Sequence, residues 1–129
     1  MSGKQFRFEE LDVWQRAVGL AREVYCIAGL LPREERFGLV DQIRRAAVSV
    51  SANIAEGSAR DTSKDFAHFL NIARGSLFEL ASHLEVAVQL KLLDPDKISQ
   101  CKQEAFEISK MLSGLRRSIL ERRSPNLEC

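Results

Sequence analysis

Glu79 and His83 stand four residues apart, which on a helix sets a carboxylate beside an imidazole. Such a pair can pass a proton, but general acid–base catalysis also needs a pocket and a substrate pose, and the sequence offers neither. It reads as surface electrostatics. Ser99-x-x-Lys102 has the spacing of a serine–lysine nucleophile without the motifs that accompany one. A di-metal carboxylate centre in a helical bundle needs two Glu-x-x-His helices. Here His68 has Asp65 and His83 has Leu80 at the carboxylate position, and the apolar stripes carry no carboxylate. Cys26, Cys101 and Cys129 are odd in number and lack metal-type spacing, which indicates neither a disulfide framework nor a zinc site. No Gly-rich phosphate loop is present. The expectation is a protein with no catalytic, cofactor or metal residues, and not an enzyme.

Polar groups suited to binding are easier to find. Arg44 and Arg45 interrupt an apolar helical pattern, and guanidinium groups suit planar recognition of carboxylate or phosphate. An ion pair to Asp41, Glu56 or Glu79 is the alternative. Asn53 follows Ala46 and Val50 along one ridge and borders the core, so its amide must find partners. The segment Lys110–Arg123 carries Lys110, Arg116, Arg117, Arg122 and Arg123 against the single acid Glu121. Cations near a helix C-terminus complement the macrodipole, but five exceed that need. Overall net charge is only +1, which argues against strong non-specific binding of RNA or DNA while leaving room for a local patch. The candidate nucleic-acid contacts are Arg116, Arg117, Arg122 and Arg123, then Arg44, Arg45 and Arg60. With no aromatic residue predicted on an exposed strand or loop, phosphate contacts should dominate and binding should be salt-sensitive.

Four helices must position these groups. Ile98, Cys101, Ala105, Ile108, Leu112, Leu115 and Ile119 alternate three- and four-residue steps, one helical face. Asp94-Pro95 supplies a cap and a first-turn proline, giving a helix over about 95–121. Phe66, Leu70, Ala73, Leu77, Leu80, Leu84 and Ala87 repeat likewise over about 62–91, with Thr62 and Asp65 as a capping box. Val40, Ile43, Ala47, Val50 and Ile54 mark a helix over about 33–57, stopped at Gly57. The first helix spans about 9–30, and 124–129 is a tail. Short connections predict an all-α, antiparallel up-down-up-down four-helix bundle in one domain, residues 1–129.

The first helix has two apolar stripes one residue apart: Leu11, Trp14, Val18, Ala21, Tyr25, Ala28 and Val13, Ala17, Leu20, Val24, Ile27, Leu31. They make over half its circumference apolar, more than a monomer's surface helix needs. The third helix carries Ile72, Phe78, Val86 and Leu90 off its main stripe. This surplus predicts self-association, with Val13, Leu20, Val24, Ile27, Ile72, Phe78, Val86 and Leu90 as the interface. No charged-then-apolar leader opens the sequence, and no apolar run approaches the ~20 residues of a membrane span. A cytoplasmic protein with no membrane partner is expected.

Three blocks carry a resemblance. Phe8–Ala17 reads FEELDVWQRA, Ile43–Arg60 reads IRRAAVSVSANIAEGSAR, and Asp65–Glu79 reads DFAHFLNIARGSLFE. In this order they resemble the four-helix-bundle family of 23S rRNA intervening-sequence proteins, related to the accessory proteins of diversity-generating retroelements. The resemblance covers residues 6 to about 120. It implies a small bacterial protein without established enzymatic activity, which assembles as a homopentamer. In the retroelement branch it implies contact with a reverse transcriptase and nucleic acid. The matching polar positions are Arg44, Arg45, Asn53, Glu56, Arg60, Arg74 and Glu79. Two functions follow: a homo-oligomeric interaction module that touches nucleic acid, or a protein-partner adaptor that does not.

Overall fold

The computed structural model describes residues 5–123. A 3-10 turn, Arg7–Glu10, leads into α1 (Asp12–Ala28), and a second, Arg33–Glu35, precedes α2 (Leu39–Ser58). Then come α3 (Ser63–Gln89) and α4 (Pro95–Arg123), with no strand among the described residues. The tail beyond Arg123 and the side chain of Arg123 lie outside the described residues. α1 packs on α2, α2 on α3, α3 on α4, and α4 returns to α1. The diagonal pairs do not meet among the described residues. The chain is thus an all-helical four-helix bundle.

The three clear stripes face the interior. Ile43, Ile54, Leu70, Leu77, Leu80, Leu84, Ile108 and Leu112 are fully buried, each contributing about 1.5–3 kcal/mol of transfer free energy. α1 resolves its ambiguity by burying the second stripe. Val13, Leu20 and Val24 are 4%, 2% and 0% exposed. They belong to the chain's own core and are not available to a second copy, which corrects their assignment to an interface. Ile27 is half-buried against the same core. The other stripe, apart from buried Ala28, lies at the edge: Trp14 is half-buried and stacks obliquely on Phe8 at 4.9 Å, while Tyr25 is exposed.

The helix ends also differ from expectation. α2 begins at Leu39, not Arg33, because Gly38 (φ −111°, ψ −104°) breaks the helix and no residue from Arg33 to Gly38 is buried in the core. Gly57 does not stop α2, which continues to Ser58. Its role is steric: a Cβ there would lie 2.8 Å from Phe69 Cβ and 3.0 Å from Phe66 Cδ1. Thr62 Oγ1 accepts from the Asp65 N–H at 3.1 Å and caps α3. α3 closes in a Schellman arrangement, with Leu92 N–H donating to the Ala87 carbonyl and Lys91 N–H to that of Val88. The left-handed position falls on Lys91, φ 62°, a non-glycine.

Candidate functional site

The small residues of the Ile43–Arg60 block let α2 and α3 approach closely. Asn53 Nδ2 donates to the Ser49 carbonyl at 2.8 Å and to Ser49 Oγ at 3.0 Å. Ser49 Oγ and Ser76 Oγ share a hydrogen bond of 2.8 Å, and Ser76 Oγ donates to the Ile72 carbonyl at 3.3 Å. One proton order satisfies every link: Asn53 to Ser49, Ser49 to Ser76, Ser76 to Ile72. The Asn53 amide therefore works inside the fold, joining α2 to α3 through buried Ser76.

The α2 arginines are also engaged. Arg45 Nε donates to Asp41 Oδ2 at 2.9 Å, and Arg60 Nη2 to Glu56 Oε2 at 2.7 Å. Arg60 also lies over the Phe69 ring, 4.6 Å from its centroid, and Arg44 over Tyr25 at 5.0 Å. The structure thus gives Asp41 to Arg45, Glu56 to Arg60 and an aromatic face to Arg44. Glu79 Oε2 lies 3.2 Å from His83 Nε2 on an open helix face. Ser99 and Lys102 do not meet: Ser99 Oγ donates to the Asp96 carbonyl, and Lys102 Nζ to Glu85 Oε1 at 2.7 Å. That bond to Lys102 holds the Glu85 carboxyl below its ordinary range. No cluster of three or more metal-ligating side chains occurs among the described residues.

Between α1 and α4, Arg16 grips Glu104 with two hydrogen bonds of 2.8 and 2.6 Å. Buried Cys101 donates to Glu23 at 3.6 Å. Burial first, and Glu23 second, push its thiol from the ordinary 9.0 up to about 12. Cys101 is inert at neutral pH, whereas Cys26 is exposed.

The α3–α4 seam is different. At one end Asn71, Arg74, Ser113, Arg116, Arg117, Leu120 and Glu121 line a polar pocket of about 500 Å³. Arg116, Arg117 and Arg122 are exposed, and none of them, nor Arg74, makes an ion pair among the described residues. The Arg74 guanidinium lies 5.0 Å from the Phe78 centroid, and its buried Nε has no acceptor. Beyond Phe78 runs an apolar trough of about 490 Å³, flanked by Phe78 and Phe106 and also lined by the Glu85–Lys102 pair. Phe78 and Phe106 are 57% and 59% exposed. The expectation of no aromatic side chain on an exposed loop is corrected by Phe6 and Phe37, 72% and 87% exposed outside the helices, and Phe78 and Phe106 add exposed rings on α3 and α4. The structure also separates Phe78 from Ile72, Val86 and Leu90, which lie exposed on the outer face of α3. Sequence reading missed Asn71, Ser113 and Phe106. The only signal for Phe106 was an aromatic one residue off the α4 stripe.

Four helices around a filled core, with the charged groups on the outside, define an all-helical bundle protein. The chain belongs to the 23S rRNA-intervening sequence protein family, whose model matches residues 9–114. It is similar to the crystal structure of a protein of unknown function from the S23 ribosomal protein family of Bacteroides thetaiotaomicron VPI-5482. The TM-score is 0.74 at 25% identity, covering 81% of this chain and 97% of that one. No curated protein matches the chain. No helix among the described residues is long and apolar enough to cross a membrane.

Proposed function

We propose that this chain is a non-enzymatic, homo-oligomeric interaction module of the bacterial cytoplasm that contacts nucleic acid through basic surface patches. The homopentamer is the form its family resemblance implies. One observation carries the reading. The outer face of α3 presents Ile72, Val86 and Leu90 to solvent, while the arginines at the end of α4 have no carboxylate partner among the described residues. The outer face of α3 sets these apolar side chains around the Glu79–His83 pair and calls for a copy of the chain; the end of α4 is cationic and calls for phosphate. Symmetry multiplies a weak patch, so avidity offsets the net charge of +1. Free Cys26 and Cys101 fit a reducing compartment. Of the arginines, Arg116, Arg117 and Arg122 are the main contacts, because Arg44, Arg45 and Arg60 are held by Tyr25, Asp41 and Glu56.

Light scattering at micromolar concentration should give several times the 14.6 kDa chain mass. Ile72→Glu combined with Leu90→Glu should reduce it to the monomer with helical circular dichroism intact. A concentration-independent wild-type monomer sinks the assembly. Binding of labelled RNA and DNA should fall steeply between about 50 and 200 mM salt. It should weaken in Arg116→Glu/Arg117→Glu. No binding at low salt leaves the adaptor reading in its place.

A further inference from the structure

The α3–α4 seam holds three features in a row that the fold does not require. Arg74, Arg116 and Arg117 converge on one polar pocket against a single carboxylate, Glu121. Phe78 and Phe106 stand more than half exposed at the edges of the adjoining trough. Arg74 belongs to both: it lines the pocket, and its guanidinium is laid over the Phe78 ring. The Lys110 ammonium sits over Phe106, 5.1 Å from the centroid, and unlike Arg74 it is also paired with a carboxylate, Glu107, at 3.4 Å.

We infer that this seam is a binding channel for single-stranded nucleic acid, with phosphates at the arginine pocket and unpaired bases on Phe78, Phe106 and the Arg74 guanidinium plane. The inference rests on the nucleic-acid reading above and names which form of nucleic acid and which surface. Apolar side chains left in water are costly unless a partner covers them, and a large apolar patch calls for an apolar partner. Aromatic rings that each carry a cation call for one that is flat, polarisable and anionic at its edge. An unpaired nucleotide has both parts, a π-face and a phosphate. Stacking on exposed aromatic rings or on arginine planes is how single strands are held without reading their sequence. A duplex keeps its bases stacked inside and offers the seam only phosphates.

The geometry supports the order. Arg74 and Phe78 are one turn apart on α3, so a strand lying along the seam meets cation and ring 5.0 Å apart. Arg74 is pre-positioned by its ring, which reduces the ordering cost of gripping a phosphate. At the far end Lys102 is neutralised by Glu85, so the positive charge is concentrated at the Arg116–Arg117 end and the strand is anchored there. A free nucleotide shares the chemistry but reaches only one end of the channel.

The test is fluorescence anisotropy with three labelled probes: a short oligothymidylate, a short oligoadenylate and a blunt DNA hairpin duplex, in low salt. Both single strands should bind at least ~10-fold tighter than the hairpin. Phe78→Leu/Phe106→Leu, which keeps apolar bulk and removes the π-faces, should lose ~10-fold or more for single strands and leave the hairpin unchanged. Arg116→Gln/Arg117→Gln should weaken all three and flatten the salt dependence. Equal affinity for strand and duplex, or an indifferent Phe78→Leu/Phe106→Leu variant, overturns the channel while the nucleic-acid reading stands. No binding of any probe sinks both. AMP that displaces oligoadenylate at equal concentration assigns the seam to free nucleotides and overturns the polymer. Light scattering must read the same mass for Phe78→Leu/Phe106→Leu as for wild type. A fall in mass makes the trough a contact between copies and also overturns the channel.

Discussion

α3 borders two seams of opposite character. On its α2 side, Gly57 lets Phe66 and Phe69 come within van der Waals reach, and a chain of hydroxyl and amide hydrogen bonds closes the gap. On its α4 side, Phe78 and Phe106 flank an open trough of about 490 Å³. Ser76 serves the first seam and Phe78, two residues on, the second. At the first seam small residues let polar groups satisfy one another, while at the second Phe78 and Phe106 stand at the edges and leave an open apolar surface.

The largest break in this comparison should come from Gly57→Ala. The added methyl meets the Phe69 Cβ at 2.8 Å, a distance that real Cβ atoms do not occupy, with the Phe66 ring at 3.0 Å and the Phe66 carbonyl at 3.3 Å. Overpacking of this kind costs about 3 kcal/mol, read as a lower urea midpoint. An unchanged midpoint would show the seam to be looser than described. Asn53→Ala should cost about 1–2 kcal/mol by removing two donors from Ser49. A double-mutant cycle with Ser76→Ala should show coupling, and strict additivity would mean the relay does not cross the seam. Lys91→Gly should raise stability by about 1 kcal/mol, because it relieves the left-handed backbone at the end of α3. A destabilised glycine variant would show that the lysine side chain makes a compensating contact. The smallest effect should be on the open seam, where Phe106→Leu should shift stability by less than about 0.5 kcal/mol. A loss comparable to that of Gly57→Ala would erase the distinction between the seams.

The helices were legible because their stripes alternate three and four residues, and the α2, α3 and α4 stripes turn inward as read. α1 was not decidable that way. Its two stripes lie about 100° apart and are equally apolar, so only the positions of α2 and α4 choose between them. Gly57 was visible but misread, because a glycine that ends a helix and one that admits a neighbour look alike in sequence. The early onset assigned to α2 came from Arg33 to Arg36, good helix formers with no buried face. Among site residues, Arg116 and Arg117 were found from a local run of charge. Their relation to Arg74 and Asn71 spans some forty residues of chain and arises only when α4 lies along α3.

The Arg16–Glu104 clamp has a consequence for the order in which the chain comes together. Its partners are 88 residues apart, whereas Ser49 and Ser76 are 27 apart. Loop-closure entropy makes the longer contact costlier by about 1 kcal/mol, and its exposed ion pair returns little. The bundle is therefore closed by its least local junction, and α1 is the staple applied last and lifted first. Native-state amide exchange should find α1 opening below the global unfolding free energy while α2 and α3 hold together. Uniform protection across all four helices would show instead that the ring opens only as a whole.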